Sequence, residues 1–381
     1  MKTRIVYCLF FLFGLTQAQV KYETIESSRL GQTRQIKIQL PRGYNNNEDK
    51  SYPIFVVFDG DYLFEAVAGN VDYFSYWEDM PEAIVVGINQ VEYRYDDCLY
   101  SEQNSLPIET GAAFFEFIGM ELIPHIERTY RTVNFRVAVG HGETANFVNY
   151  YLLKPNPLFQ AYVSISPELA PNMIDYLPES LAKAQTKTFY YLARTENDSK
   201  SIVQMTDALH NGIKGMENDN VLYTFDTFEG PSHYGVPTHA IPKALEKIFF
   251  VFQPISKKEY QETILKLDDS PVKYLQDKYQ MINDLFAIDK QILINDFKAI
   301  SAAIEKNESF EDYEELGKMA RDHYPKTLLG NYYLARFYEE TGESKKAMRT
   351  YQSAYILDEI AGLTKDLMLE KADSIKADFG Y

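Results

Sequence analysis

Cysteine is almost missing from this chain. Of 381 residues only Cys8 and Cys98 are cysteine. Cys8 falls in a leader-like N-terminus, so the remaining chain has one thiol and no intramolecular disulfide. Cys98 has two readings, a buried small hydrophobe or a reactive thiol. Positive charge is also short. Lys and Arg number 38 against 55 Asp and Glu, a net charge of −17, and no basic cluster offsets it. Such a chain is repelled by nucleic acid and by anionic lipid heads. The six histidines are scattered without ligand spacing, and no cysteine pair joins them, so no metal site is expected. No glycine-rich phosphate loop appears, and no cofactor is expected. Beyond the leader, no apolar run is long enough to cross a bilayer.

The leader itself is specific. Lys2 and Arg4 make a basic start, Val6 to Leu15 is apolar, and Thr16-Gln17-Ala18 is a small-residue cleavage site. Residues 1–18 read as a secretory signal peptide, which implies a periplasmic or cell-envelope protein. Cleavage removes Lys2 and Arg4 and takes the charge from −17 to −19. The 45% hydrophobic content suffices for one large core and a smaller second unit.

Val20 to Leu40 reads as two antiparallel strands joined at Leu30-Gly31-Gln32, with Ile36 and Ile38 alternating with polar residues. The continuous apolar run Pro53 to Phe58 suits a central strand covered on both faces. It ends in the turn Asp59-Gly60-Asp61, and a mixed helical or loop segment leads on to Trp77. Further buried strands are expected at 83–88, 161–166, 188–193 and 221–228. Asn89 to Leu106 reads as a loop. Thr110 is positioned to cap a helix carrying Phe114, Phe117, Ile118, Leu122 and Ile126, with Pro124 kinking it or near its end. Helices follow near 202–213 and 239–252. Strands alternating with helices over 50–252 predict a doubly wound, mostly parallel α/β sheet, with the antiparallel pair extending one edge.

From about residue 256 the pattern turns helical throughout. Helices are expected near 257–267, 272–287, 289–305, 310–323, 327–340, 344–357 and 361–378. Thr327 to Glu359 resembles one tetratricopeptide hairpin, with Leu334, Ala335 and Tyr338, a turn at Gly342, then Ala347, Tyr351 and Ala354. A single hairpin cannot bury its own apolar face, so it must stack on the preceding helices or the main unit. The domain expectation is therefore 19–255, then a helical extension over 256–381, either a cap or a groove for a partner of the envelope.

The pivotal stretch is Phe135 to Phe147. A β-branched run breaks at Gly140-His141-Gly142-Glu143-Thr144 and passes into a helix. This is a strand, a sharp turn and a helix, the layout of the G-x-S-x-G nucleophile elbow. The segment from Gly111 through Glu121-Leu122-Ile123-Pro124-His125-Ile126-Glu127 to Tyr130-Arg131 and the elbow resembles the Putative esterase family of α/β-hydrolases. That family includes siderophore and feruloyl esterases and S-formylglutathione hydrolases. The resemblance covers roughly residues 20–255 and implies an α/β-hydrolase fold acting on esters. It implies that the turn holding Gly60 and Asp61, with Glu143, forms the oxyanion-hole region. Ser232-His233-Tyr234-Gly235 resembles the catalytic-histidine loop, and Glu196 matches the acid. Tyr62, His141 and Tyr95 are placed around the pocket, His141 near its floor. Tyr73, Tyr76, Trp77 and Tyr93 are further aromatic groups expected at the rim.

The nucleophile is what the elbow lacks. Acyl transfer through a covalent intermediate needs a hydroxyl or thiol there, a base and an acid that orients the base. Gly142 stands in the serine's place and Thr144 in the place of the last glycine. Glycine relaxes a backbone that a serine would strain. The chain therefore reads as an esterase homologue without catalysis, an interaction protein with a pocket able to hold a small ester-like ligand. The alternative is an active carboxylic-ester hydrolase of siderophore or carbohydrate esters. It would use His233 and Glu196 with activated water, for which Glu143 is a candidate base, or with a displaced nucleophile such as Cys98.

Overall fold

The computed structural model describes residues 20–380; the expected signal peptide lies outside them. Eight strands form one sheet: β1 (Val20–Ser27), β2 (Gln32–Gln39), β3 (Tyr52–Val57), β4 (Ile84–Ile88), β5 (Thr132–His141), β6 (Ala161–Ile165), β7 (Thr188–Thr195) and β8 (Val221–Phe228). Their order is β1-β2-β4-β3-β5-β6-β7-β8. β1 and β2 pair antiparallel, β2 meets β4 antiparallel, and every pair from β4 onward is parallel. The expected antiparallel extension of one edge is therefore present.

Helices α1 (Phe64–Tyr76), α2 (Arg94–Asp97), α3 (Glu109–Phe117), α4 (Ile123–Thr129), α5 (Glu143–Val148), α6 (Met173–Ala182), α7 (Lys200–Ile213) and α8 (Pro237–Ile248) flank the sheet. Successive residues of a strand point to opposite faces, so Phe55 and Val57 enter one core and Ile54, Val56 and Phe58 the other. Four details differ from the sequence reading. The cap of α3 is Ile108, not Thr110, whose hydroxyl instead donates to the Asp96 carbonyl at 2.8 Å. Pro124 does not end the helix. A π-turn over Ile118–Leu122, with Ile123 N–H on the Ile118 carbonyl, absorbs the register and α4 continues. The expected loop 89–106 contains α2. Helix α6 was not anticipated, because Pro178 breaks its pattern.

The extension comprises α9 (Lys257–Glu262), α10 (Pro271–Phe286), α11 (Ile294–Asn307), α12 (Asp312–His323), α13 (Leu328–Glu340), α14 (Ser344–Ser353) and α15 (Lys365–Phe379). α11 starts later than expected because Ala287, at φ +54°, turns the chain after α10. The expected 344–357 helix tightens to a 3₁₀ turn over Ala354–Ile356. The helical units share one core with the sheet. Phe286 of α10 packs its ring 5.0 Å from Phe135, 6.0 Å from Phe189 and 5.1 Å from Phe249. Leu334, Ala335, Ala347 and Tyr351 are buried as the hairpin pattern expected. A tight helix crossing lies one step earlier. A Cβ on Gly330 would meet the Arg321 nitrogen at 2.8 Å, and one on Gly317 the Leu334 nitrogen at 3.0 Å. Only glycine allows α12 and α13 to approach this closely.

Candidate functional site at the strand–helix elbow

β5 delivers Gly140, His141 and Gly142 to the C-terminal edge of the sheet. Gly140 is required by packing, since a Cβ there would lie 2.6 Å from the Thr144 carbonyl oxygen. Gly142 sits at φ +63°, ψ −122°, just before α5. Its N–H donates to the Ile165 carbonyl at 3.0 Å, and its carbonyl accepts from Glu168 N–H at 3.0 Å. The sharp backbone turn is thus present and fixed by hydrogen bonds, without a side chain on it.

A Cβ built on Gly142 would point 3.8 Å from His233 Nε2. The same Cβ would lie 3.3 Å from Arg94 Nη2 and 3.3 Å from Glu168 Oε1. The histidine still faces the vacant position, and a guanidinium and a carboxylate now border it.

His233 Nδ1–H donates to Asp198 Oδ1 at 2.6 Å. The other oxygen, Oδ2, accepts from Ser166 Oγ at 2.6 Å and from Thr195 N–H at 2.9 Å. Burial pushes the Asp198 carboxyl up, but hydrogen bonds from His233, Ser166 and Thr195 outweigh it and hold the group below the usual carboxylate range. Glu196 is not the partner of His233. It is exposed, and His233 pairs with Asp198 instead. The turn after β7 folds back through Asp198 N–H on the Thr195 carbonyl and turns Asp198 inward. The Ser166 hydroxyl is held on Asp198 Oδ2 while His233 Nδ1 is held on Oδ1, so the serine meets the carboxylate and not the imidazole.

His141 is fully buried. Its Nε2 faces the His233 carbonyl at 3.1 Å, which only accepts, so Nε2 carries the proton. Nδ1 then accepts from the Tyr62 hydroxyl at 2.9 Å. Burial, and the nearby His233, push the His141 pKa down to about 3. Asp59 ties the floor together. Its carboxylate accepts from Arg94 Nε at 2.7 Å and from the Thr144 hydroxyl at 2.7 Å. Thr144 Oγ1 in turn accepts from His141 N–H at 3.0 Å. The side chain that replaces the motif's last glycine is therefore a buried link, not a clash.

Arg94 also pairs with Glu143 and donates from Nη2 to the His141 carbonyl at 3.0 Å. Burial pushes the Glu143 carboxyl up. Arg94 opposes this, while Glu168 and Asp59 add repulsion. Nothing in the sequence pattern marked Arg94, since a four-residue helix carries no periodicity. It is placed by a buried pair behind it. Arg34 of β2 holds Asp97 of α2 at 2.5 and 2.9 Å, and Gln90 donates to the same carboxylate at 3.0 Å. Arg34→Ala is expected to cost about 3 kcal/mol in denaturant unfolding, because the Asp97 charge is left buried and unpaired.

The groups expected at the oxyanion hole differ in how far they are engaged. Gly60 N–H is committed to the Ile88 carbonyl at 2.7 Å, and the Asp61 carboxylate accepts the N–H groups of Gln90 and Val91 at 2.6 and 2.9 Å. Among the described residues, the Asp61 and Glu143 N–H groups have no protein acceptor. Tyr62 is exposed beside His141, and Tyr95, next in sequence to Arg94, is exposed as well. Tyr73, Tyr76 and Trp77 are not at the rim. α1 runs back from Phe64 about 18 Å to the opposite edge of the sheet, where Arg42 stacks 5.1 Å from the Tyr76 ring. Cys98 is buried, and burial first of all raises its thiol pKa well above the usual range. That is the inert small hydrophobe of the two readings. No cluster of three or more His, Cys, Asp or Glu able to hold a metal occurs among the described residues, and no described helix is long and apolar enough to cross a membrane.

The sequence profile of the Putative esterase family matches residues 27–224, just over half of the chain. The chain belongs to this family. Among solved structures it is similar to an uncharacterised protein from Capnocytophaga ochracea, at 30% identity, covering 94% of this chain and 100% of that one with a TM-score of 0.88. It is also similar to an IroE-like serine hydrolase from Shewanella oneidensis, at 19% identity, 79% and 98% coverage and a TM-score of 0.59. A siderophore hydrolase, EstB from Aspergillus nidulans, follows at 15% identity, 62% and 95% coverage and a TM-score of 0.51. At these last two identities the likeness is one of fold. No curated protein matches the chain. The family's α/β-hydrolase fold, a mostly parallel sheet flanked by helices, is the one observed, followed here by an all-helical region.

Proposed function

We propose that this esterase-family protein is a catalytically inactive binding protein, exported by its leader and acting in the cell envelope. The observation that carries the reading is the Cβ position of residue 142. A Cβ there would lie 3.8 Å from His233 Nε2, close enough for a hydroxyl on it to reach the base, and the chain supplies none. Arg94 and Glu168 border the space instead, and Arg94 is held by Asp59, Glu143 and the His141 carbonyl. A charged lattice of this kind suits recognition of a polar, ester-like or carboxylate ligand more than acyl transfer. The helical extension is the candidate surface for an envelope partner. It shares the core through Phe286, so partner capture uses the full mature chain as bait.

The retained His233–Asp198 pair supports a second reading. His233 Nε2 could act as a base on water, which would make the protein a carboxylic-ester hydrolase without a covalent intermediate. Hydrolysis of short-chain aryl esters separates the two. The expected result is that wild type and His233→Ala are both indistinguishable from buffer. Wild-type turnover that His233→Ala abolishes would establish the second reading and end the first.

A further inference from the structure

β8 is one edge of the sheet, and its outer side has no neighbour. The direction of its backbone groups follows from its bonds to β7. Thr188 N–H donates to the Asn220 carbonyl and Glu196 N–H to the Phe228 carbonyl. Even-numbered residues of β8 therefore turn their backbone groups inward, and Tyr223, Phe225 and Thr227 turn theirs outward. Among the described residues those outward N–H and C=O groups have no partner. Both faces of the strand are half-buried, apart from the exposed Thr227. On one, His210 of α7 stacks 4.3 Å from Phe225 and faces the Tyr223 hydroxyl at 2.9 Å. On the other, Asp226 accepts from Tyr191 at 2.8 Å. What remains open is the hydrogen-bonding edge.

The two edges of the sheet differ. β1 presents Lys21, Glu23 and Glu26, charges that discourage pairing. β8 reads Val-Leu-Tyr-Thr-Phe-Asp-Thr-Phe, with one charge, no lysine and no proline. An edge of this length and composition is a template for another strand.

We propose that β8 pairs antiparallel with β8 of a second copy of this chain about a two-fold axis, joining two sheets into one. The pleat restricts the register, because only outward-facing residues can exchange hydrogen bonds, so odd-numbered residues must oppose odd-numbered ones. Centring the axis on Phe225 places Tyr223 opposite Thr227 of the second copy and uses all three open residues. Val221 is not needed, and its N–H is already committed to the Asn218 carbonyl. This register sets Asp226 opposite Thr224, so the strand's one charge never faces its own copy. A two-fold contact requires that self-complementarity. The pairing is independent of whether the elbow is catalytic.

Sedimentation equilibrium of the mature chain is expected to give twice the monomer mass. Thr227→Pro removes an outward N–H without breaking a bond to β7, and proline is tolerated on an edge strand. It is expected to weaken the dimer about tenfold or more, through two lost hydrogen bonds per dimer, with an unchanged circular dichroism spectrum. Phe225→Cys supplies a second readout, in which a short bis-maleimide links two copies at the axis. A monomeric wild type overturns the proposal. So does a dimer that Thr227→Pro leaves at full strength, or one in which Cys substituted at 225 fails to cross-link.

Discussion

Gly142→Ser is expected to create ester hydrolysis, about hundredfold above the wild-type background, and to lower stability by about 1–3 kcal/mol. Both effects have one cause. The backbone at 142 is held at φ +63°, ψ −122° by the Ile165 and Glu168 hydrogen bonds whatever residue stands there. Glycine adopts that conformation freely, and a serine is strained in it. The strained serine would have its Cβ 3.8 Å from His233 Nε2. With a C–O bond of about 1.4 Å, its Oγ falls within hydrogen-bond reach of that nitrogen. Asp198 already orients His233 and stabilises the imidazolium that forms when the base takes the serine's proton. The obstacles are Arg94 Nη2 and Glu168 Oε1, each 3.3 Å from the same Cβ. Glu168 is exposed and can swing away; Arg94 is anchored. Thermal melts and initial rates with short aryl esters read both effects. A folded Gly142→Ser protein with no gain in rate would show that Arg94, or the commitment of Gly60 N–H to Ile88, has closed the site to esters. A gain that survives an added His233→Ala change would show that hydrolysis does not run through this base.

Most of the sheet was legible because its strands carry period-two or continuously apolar runs bounded by Gly, Pro and Asp. The Val221–Phe228 strand even has the expected ends. The elbow and His233 were legible as motifs. The acid was not, because Glu196 and Asp198 lie two residues apart in one turn. Which carboxylate reaches His233 is decided by the fold of that turn on Thr195, not by any pattern. Asp59 and Arg94 escaped for a related reason. Their roles come from long-range contacts, with Asp59 meeting Thr144 and Arg94, and with α2 held by Arg34 of a distant strand. The aromatic rim was misplaced because the sequence shows that α1 follows β3 but not how far it carries Tyr76 and Trp77 from the strand end. In the extension the hairpin positions were readable from small residues. The Gly317–Gly330 crossing was not, since it belongs to the packing of two different helices.

The buried His141 makes stability depend on acid, and the sign follows from its position. In the unfolded chain a histidine titrates near pH 6.5; in the fold it is pushed down to about 3 by burial and by His233. Tyr62, His233, Arg94, Asp198 and Thr144 are among the polar groups around it. Above pH 6.5 both states hold a neutral ring and the native state has its full stability. As the pH falls below 6.5 the unfolded chain binds a proton that the native state refuses, and stability is lost until the pH reaches about 3. Over the whole interval that is about 5 kcal/mol, and about 2–3 kcal/mol between pH 6.5 and 4.5. Asp198, held low, adds its own loss only at more acidic pH. Glu143 acts in the opposite direction, because its raised carboxyl binds a proton earlier in the native state. The decisive quantity is therefore the difference between wild type and His141→Gln in urea unfolding at pH 6.5 and 4.5. Wild type is expected to lose about 2–3 kcal/mol more than the variant over that range. Equal losses would mean that the ring takes its proton inside the fold. The Tyr62–His141–His233 chain, which holds the base opposite Gly142, would then not be the neutral tautomer assigned to it.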